Sequence, residues 1–292
     1  MWRNYLKERQ AQVEEMLHSL APEQAGPLAK MAESMRYSLF AGGKRLRPIL
    51  LTAAADTVGV DGCNFLQAAC ALEMIHTYSL IHDDLPAMDD DDYRRGRLTS
   101  HKVFGEGMAV LAGDGLLTLA FETLLSQPGV PLEILGRVTR EVAVAAGPSG
   151  MVGGQAIDLG SEGSQPGPET MALMHRLKTG ALFRASIRSG ALLAGASDPE
   201  VQQLTEYAEN FGLAFQITDD ILDVTGDEAV LGKPVGSDKK NNKATYVTAY
   251  SLPVARQMAQ TAVDKSLAAL ESFGDRAWVL RGLSGYLLTR ES

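Results

Sequence analysis

The sequence predicts an all-α fold, a single domain over 1–292 built as a bundle of about ten or more helices. Three observations carry that prediction. Apolar residues recur at three- and four-residue spacing nearly everywhere. Ala and Leu, both strong helix formers, are abundant in those stretches. Alternating strand-like runs are scarce. The periodic segments are bounded by Gly and Pro. The first, 5–18, stops before Pro22. The second, 27–40, follows Gly26-Pro27 and ends at Gly42-Gly43. Segment 46–58 stops at Gly59, and 64–82 follows Gly62 and runs into an acidic stretch. Segment 108–126 ends at Pro128-Gly129, and 132–147 at Gly147-Pro148. Segment 170–194 follows the break from Gly163 to Pro168. Segment 200–224 opens after Pro199, and 243–250 after the break from Gly232 to Gly236. Segments 253–272 and 276–288 complete the set.

With 292 residues, 45% of them hydrophobic and 22% charged, the chain has the composition of a globular protein. That excludes a disordered chain, a collagen-like repeat and a small disulfide scaffold. Lys plus Arg is 27 and Asp plus Glu is 36, so the net charge is 27 − 36 = −9. A net anion is a poor candidate for nucleic-acid binding, which depends on neutralising phosphates. Cys63 and Cys70 fall in an Ala-rich helical stretch and read as small buried residues in a reducing compartment. The charged N-terminus, Met1 to Arg9, lacks a signal-peptide pattern. Met108 to Phe121, the most apolar stretch, reads as too short to span a bilayer and is interrupted by Asp114. The expected location is the cytoplasm.

Two carboxylate clusters stand out. Asp83-Asp84-Leu85-Pro86-Ala87-Met88-Asp89-Asp90-Asp91-Asp92 follows an apolar helix directly and precedes Arg94 and Arg95. A bare acidic run also suits a solvated loop. The packed helix before it, and Pro86 and Met88 within it, argue for more. Like charges this close raise one another's pKa, and a multivalent cation removes that penalty. All-oxygen ligation suits Mg²⁺ or Mn²⁺. On an ideal helix Asp83 and Asp89 are about 240° apart. Pro86 would also clash with the carbonyl of His82. The helix is therefore expected to end or distort near 83–86 and let the chain bring Asp89 back. The second cluster is Gln216-Ile217-Thr218-Asp219-Asp220-Ile221-Leu222-Asp223. Asp219 and Asp223 are about 40° apart on a helix, with Gln216 on the same stripe. A chance polar face is the alternative. Two such clusters on separate helices suggest facing walls of a central cavity that holds two or three divalent ions around an oligophosphate.

Gly42-Gly43-Lys44-Arg45-Leu46-Arg47-Pro48 concentrates cations after two glycines without the spacing of a P-loop. Arg grips phosphate bidentately. A solvated basic turn fits the same residues. Arg94, Arg95, Arg97, Lys178 and Thr179 are further candidates. His76 precedes Asp83 by seven residues, on nearly the same helical face.

Five stretches together are similar to the trans-prenyltransferases that build linear isoprenyl diphosphates, with the nearest likeness to bacterial short-chain farnesyl diphosphate synthases. They are GGKRLRP at 42–48, IHDDLPAMDDDDYRRG at 81–96, GGQAIDL at 153–159, HRLKTGAL at 175–182 and FQITDDILDVTGD at 215–227. The resemblance implies the isoprenoid-synthase bundle around a central cavity. It implies Mg²⁺, three ions with substrate or Mn²⁺ in their place, held by Asp83, Asp84 and Asp89 on one wall and by Asp219, Asp220 and Asp223 on the other. It implies an allylic diphosphate held with help from Arg94, Lys178, Thr179, Gln216, Lys233 and Lys243. Isopentenyl diphosphate is implied at Lys44, Arg47, His76 and Arg95, with Arg45 as a helper. Lys178, Thr179, Gln216 and Arg94 would serve the ionising centre, supported by Gln155 and Asp158. Tyr78 and Ser79, five and four residues before Asp83, would set product length. An aromatic at Tyr78 and the Pro86-Ala87 insertion resemble synthases that stop at fifteen carbons. A homodimer is the family's common state.

The expected product is (2E,6E)-farnesyl diphosphate, with a geranylgeranyl or geranyl diphosphate synthase as the alternative. An HD-type metal phosphohydrolase would leave the second acidic cluster and GGKRLRP idle. A non-catalytic regulatory subunit would not need both clusters, and a terpene cyclase would not need Lys44, Arg47 and Arg95.

Overall fold

A computed structural model describes residues 1–23, 25–161, 163, 166–225 and 244–290. Helices dominate, as the periodicity predicts. The sheet among the described residues is a single two-stranded hairpin, β1 (Tyr93–Arg94) and β2 (Arg97–Leu98). Its turn places Arg95 and Gly96 at φ 53° and 74°, the positive values that a tight hairpin turn requires. Contacts gather the chain into two compact units. One holds Met1, Arg3–Thr52 and Cys63–Thr139; the other holds Trp2, Ala53–Gly62 and Arg140–Ser292.

In the first unit the helices are α1 (Trp2–Leu20), α2 (Ala29–Leu39), the start of α3 (Leu46–Val58), α4 (Leu66–Asp83), α5 (Ser100–Phe104) and α6 (Glu106–Leu125). α4 is buried on nearly every side, from Ala68 through Ile81, as its all-round apolar sequence requires. It packs on α6 and α2. α6 presents Ala109, Ala112, Gly113, Leu116, Ala120, Thr123 and Leu124 as one buried stripe. With 20 residues, α6 is long and apolar enough to cross a membrane by length and composition alone, a test that the core helix of a soluble protein also passes. The expectation that this stretch is too short is corrected, because the helix extends past the apolar run at both ends. Cys63 and Cys70 are thiols, and Cys70 is fully buried.

Arg45 ties this unit together. Its backbone adopts φ 50°, which turns the side chain inward from the glycine turn. Nε reaches Glu14 at 2.7 Å, Nη1 reaches Glu73 at 2.7 Å and Nη2 reaches the Leu39 carbonyl at 2.7 Å. One guanidinium thus fastens α1, α4 and α2. The sequence expectation that Arg45 helps bind substrate is corrected: its donors are occupied inside the protein.

The second unit contains the rest of α3, the end of α7 (Leu132–Ala146), α8 (Met151–Gly160), α9 (Pro168–His175), a π-helical turn at Arg176–Gly180, α10 (Ala181–Leu193) and α11 (Asp198–Thr225). It continues through α12 (Tyr246–Tyr250), α13 (Leu252–Ala268) and α14 (Trp278–Leu287). α11 packs on α10 and α13. Phe183 meets Phe211 edge-on at 5.5 Å, and Tyr207 donates to the Leu280 carbonyl at 3.0 Å. α8 lies between the predicted segments 132–147 and 170–194, in a stretch where Gly150, Gly153, Gly154 and Gly160 dilute the apolar periodicity. Gly154 is required there: a Cβ at this position would strike the Lys178 backbone nitrogen.

Arg45→Ala leaves Glu73, 1% exposed, as a buried charge without its partner. The expected cost is about 3–5 kcal/mol in urea unfolding. A loss below about 1 kcal/mol would contradict the role given to Arg45.

Candidate active site

In the first unit the acidic run begins where α4 ends. Asp83 is the last helical residue and Asp84 its C-cap. Leu85 N–H donates to the His82 carbonyl at 3.2 Å, and Met88 N–H to the Leu85 carbonyl at 2.8 Å. Asp89 N–H then donates to the Asp83 carbonyl at 2.8 Å. The return expected from Pro86 is present, and it sets Asp83 and Asp89, both half-buried, side by side along the backbone. Asp84 differs from both. It is 4% exposed, and its Oδ1 accepts from Arg94 Nε at 2.7 Å and Nη2 at 2.6 Å. Burial pushes the Asp84 carboxyl above the usual carboxylate range while Arg94 pulls it back. Its carboxylate is committed to Arg94, against the expectation that Asp84 ligates a metal. Arg94 is correspondingly engaged by Asp84.

A cationic group lies in the same unit. Burial, then the charges of Arg47, Arg95, Arg94 and Arg45, hold the His76 imidazole well below its ordinary pKa. His76 is therefore neutral near pH 7. Burial lowers Arg47 to about 10, with Glu73 opposing and Arg95 reinforcing the shift. Arg95 is lowered mainly by burial. It donates to the Gly42 carbonyl and packs on Gly43 so closely that a Cβ there would lie 2.7 Å from Nη1. Gly43 has φ 132°, a conformation open to glycine. The structure thus brings Arg47, His76 and Arg95 together, with exposed Lys44 on the adjoining turn. Cations that destabilise one another are relieved by binding an anion.

Tyr78 is buried, its ring edge-on to His82 at 5.7 Å. Burial and the charge of Asp83 push its hydroxyl up to about 12. Ser79 donates to the His76 carbonyl at 2.8 Å within the same helix.

In the second unit the π turn carries Lys178 and Thr179. Such turns insert one extra residue and often occur at functional sites. Lys178 Nζ bonds Asp158 at 2.5 Å. Thr179 donates to Gln216 Oε1 at 3.0 Å, and Gln216 Nε2 donates to Asp220 Oδ1 at 2.8 Å. Asp220 Oδ2 accepts from Tyr246 N–H at 2.7 Å, at the start of α12. Both oxygens of Asp220 are therefore used inside the protein, and the residue is 2% exposed. That runs against the expectation of Asp220 as a metal ligand. Asp223 shares the Asp219 stripe but is buried as well. Asp219 is exposed, and Arg290 Nη2 lies 3.4 Å from its Oδ1. Gln155 Oε1 is buried without a hydrogen-bond partner among the described residues. Lys233 and Lys243 lie outside the described residues.

Two residues near this group, Tyr246 and Arg290, have no motif to announce them. Tyr246 stacks on His175 with centroids 5.6 Å apart. Burial lowers His175 to about 4. Arg290 carries one faint signal, a lone cation close to the end of an acidic chain.

Among the described residues no group of three or more His, Cys, Asp or Glu side chains is placed to hold a metal ion by itself. The candidate ligands Asp83 and Asp89 are half-buried and Asp219 is exposed, and their carboxylates are hard oxygen donors. Mg²⁺ keeps several waters and takes one or two carboxylates together with substrate phosphates. The residues fit a cation shared with a diphosphate.

The chain matches the Polyprenyl synthetase family over residues 29–275. It belongs to that family. It is 50% identical over 255 residues to a farnesyl diphosphate synthase of Geobacillus stearothermophilus, covering 87% of this chain and 86% of that one. It is 45% identical over 290 residues to a geranylgeranyl diphosphate synthase of Cyanophora paradoxa, covering 99% and 96%. The crystal structure of a geranylgeranyl pyrophosphate synthetase from Pyrococcus horikoshii superposes with a TM-score of 0.92 at 32% identity, covering 99% and 98%. Members of this family transfer prenyl groups, and this chain is a prenyltransferase.

Asp219 and Asp220, adjacent in sequence, differ in what they hold. Asp220→Ala deprives the buried Tyr246 N–H of its acceptor and is expected to cost about 1–3 kcal/mol of stability. Asp219→Ala removes an exposed carboxylate and is expected to cost under about 1 kcal/mol. Equal denaturation midpoints for the two variants would contradict this division.

Proposed function

We propose that this short-chain prenyltransferase condenses isopentenyl diphosphate head-to-tail with dimethylallyl or geranyl diphosphate to give (2E,6E)-farnesyl diphosphate and diphosphate. The observation that carries the reading is the Arg47–His76–Arg95 group in the same unit as Asp83 and Asp89. An enzyme joining two diphosphate esters needs a cationic site besides its acidic ones, whereas a phosphohydrolase or a cyclase does not.

Asp83 and Asp89, and Asp219 with Asp223 behind it, are the residues that would hold Mg²⁺, and the reading requires both clusters to serve one allylic diphosphate. Bound Mg²⁺ supplies Lewis-acid neutralisation of the leaving diphosphate. Asp84 and Asp220 position Arg94 and Gln216. Arg94, Lys178, Lys233 and Lys243 stabilise the negative charge that grows as the allylic C–O bond breaks. Thr179 and Gln216 turn oxygen dipoles toward the carbocation that remains. Lys44, Arg47, His76 and Arg95 hold isopentenyl diphosphate so that its C4 attacks C1 of the cation. Loss of a proton, to the departed diphosphate, completes the product. Apolar helix walls exclude the water that would quench the cation.

Relatives making fifteen- and twenty-carbon products are both similar to this chain. The fifteen-carbon assignment therefore rests on Tyr78, whose buried ring would close the floor beneath the growing chain. A homodimer in the cytoplasm accompanies the reading.

Purified chain incubated with isopentenyl diphosphate, Mg²⁺ and each allylic diphosphate is expected to yield the fifteen-carbon diphosphate by mass spectrometry. Tyr78→Ala should lengthen it; a variant still stopping at fifteen carbons would place the floor elsewhere. Asp83→Ala and Asp219→Ala should each reduce turnover by at least about 10²-fold with the fold intact. Near-normal rates in either would remove the acidic clusters from the mechanism. Lys44→Ala should act mainly by raising KM for isopentenyl diphosphate.

A further inference from the structure

Arg290 is the last described residue and belongs to none of the five motifs. Its guanidinium lies over the Phe215 ring at 4.4 Å. Nη2 donates to the Phe215 carbonyl at 3.0 Å and faces Asp219 Oδ1 at 3.4 Å. Phe215 and Asp219 are four residues apart on α11, so both contacts lie on one helical face. The side chain is 5% exposed, whereas that of Asp219 is 49% exposed.

The character of this contact differs from the other buried arginine pairs. Arg45 has all its nitrogens bonded at 2.7 Å, and Arg94 grips Asp84 at 2.6 and 2.7 Å. Arg290 reaches Asp219 only at 3.4 Å, and its Nε is buried with no hydrogen-bond partner among the described residues. A guanidinium held in this way is stacked and desolvated but weakly bonded, so a competing cation can replace it at little cost. Its partner is also the one exposed acid of the Asp219, Asp220 and Asp223 set.

We propose that Arg290 is a positioning residue that serves as the resident cation of Asp219, orienting this carboxylate in the substrate-free enzyme and yielding it to an incoming divalent cation. The proposal rests on the reading of Asp219 as a cation ligand. It ties the end of the chain to the loading of the second acidic cluster: as Asp219 takes up the cation, Arg290 leaves the carboxylate and the residues around 287–290 loosen.

The test uses the full chain without substrate and Mn²⁺ alone as the probe. Free Mn²⁺ is read by electron paramagnetic resonance through a titration reaching millimolar concentrations. Arg290→Ala is expected to bind Mn²⁺ about two- to fivefold more tightly than wild type, the effect of an exposed ion pair. Arg290→Lys keeps the charge and should behave as wild type. In an Asp219→Asn background, Arg290→Ala should change nothing, since the carboxylate it guards is gone. Hydrogen exchange at the C-terminal end of α14 should accelerate on adding Mn²⁺ to wild type but not to Asp219→Asn. Circular dichroism checks that each variant is folded.

Mn²⁺ affinity in Arg290→Ala equal to or weaker than wild type would overturn the proposal. So would a gain that persists with Asp219→Asn, or no binding in either protein. Wild-type Mn²⁺ affinity in Asp219→Asn alone would instead remove Asp219 as a ligand, and the proposal would fall with that reading.

Discussion

Carboxylates set within a turn of one another repel, and this chain answers that repulsion acid by acid. Asp84 is neutralised by Arg94 at 2.6 Å, Asp158 by Lys178 at 2.5 Å, and Asp220 by Gln216 and the Tyr246 N–H. Those bonds are short and mostly buried, and they fix the local backbone. Asp83, Asp89 and Asp219 keep more of their surface in water. Each acidic motif therefore contains two kinds of aspartate, the buried and the more exposed. The buried kind carries the frame in which the more exposed kind is presented.

The basic residues divide in the same way. Arg45, between Lys44 and Arg47 in one turn, is consumed by Glu14, Glu73 and the Leu39 carbonyl. Arg47 and Arg95 share a cationic group with a neutral imidazole, and burial lowers both. Burial is the main cause of both shifts, with Glu73 opposing and neighbouring arginines adding to them. The first unit thus holds a fixed ion-pair network, in Arg45 and Glu73, beside a buried cationic group. Keeping these separate requires the φ 50° turn at Arg45 and the close packing of Arg95 on Gly43.

Much of this was legible from residue spacing. Apolar periodicity located most of the long helices. Pro86 implied the distortion that returns Asp89 to Asp83, and the 2.8 Å backbone bond between them is that return. The i, i+4 spacing put Asp219 and Asp223 on one stripe. What spacing could not supply was tertiary burial. Asp83 and Asp84 read alike until the hairpin arginine Arg94 selects one of them. Asp219 and Asp220 likewise differ only because Tyr246, distant in sequence, brings an N–H to Asp220. α8 was hidden because its glycines are helix-weakening by propensity, although one of them, Gly154, is needed where the backbone meets Lys178. Tyr78 sits about 140° from Asp83 on an ideal wheel, yet the Asp83 charge acts on its hydroxyl.

The central claim is that Asp83, Asp89 and Asp219 hold cations together with a diphosphate and do not form a closed metal cage. The most direct measurement is the number of Mn²⁺ ions bound per chain by electron paramagnetic resonance, with and without inorganic diphosphate. The account predicts that diphosphate raises the number, and that the added ions are lost when Asp83 and Asp89 are both changed to Asn. An unchanged number with diphosphate present would contradict it.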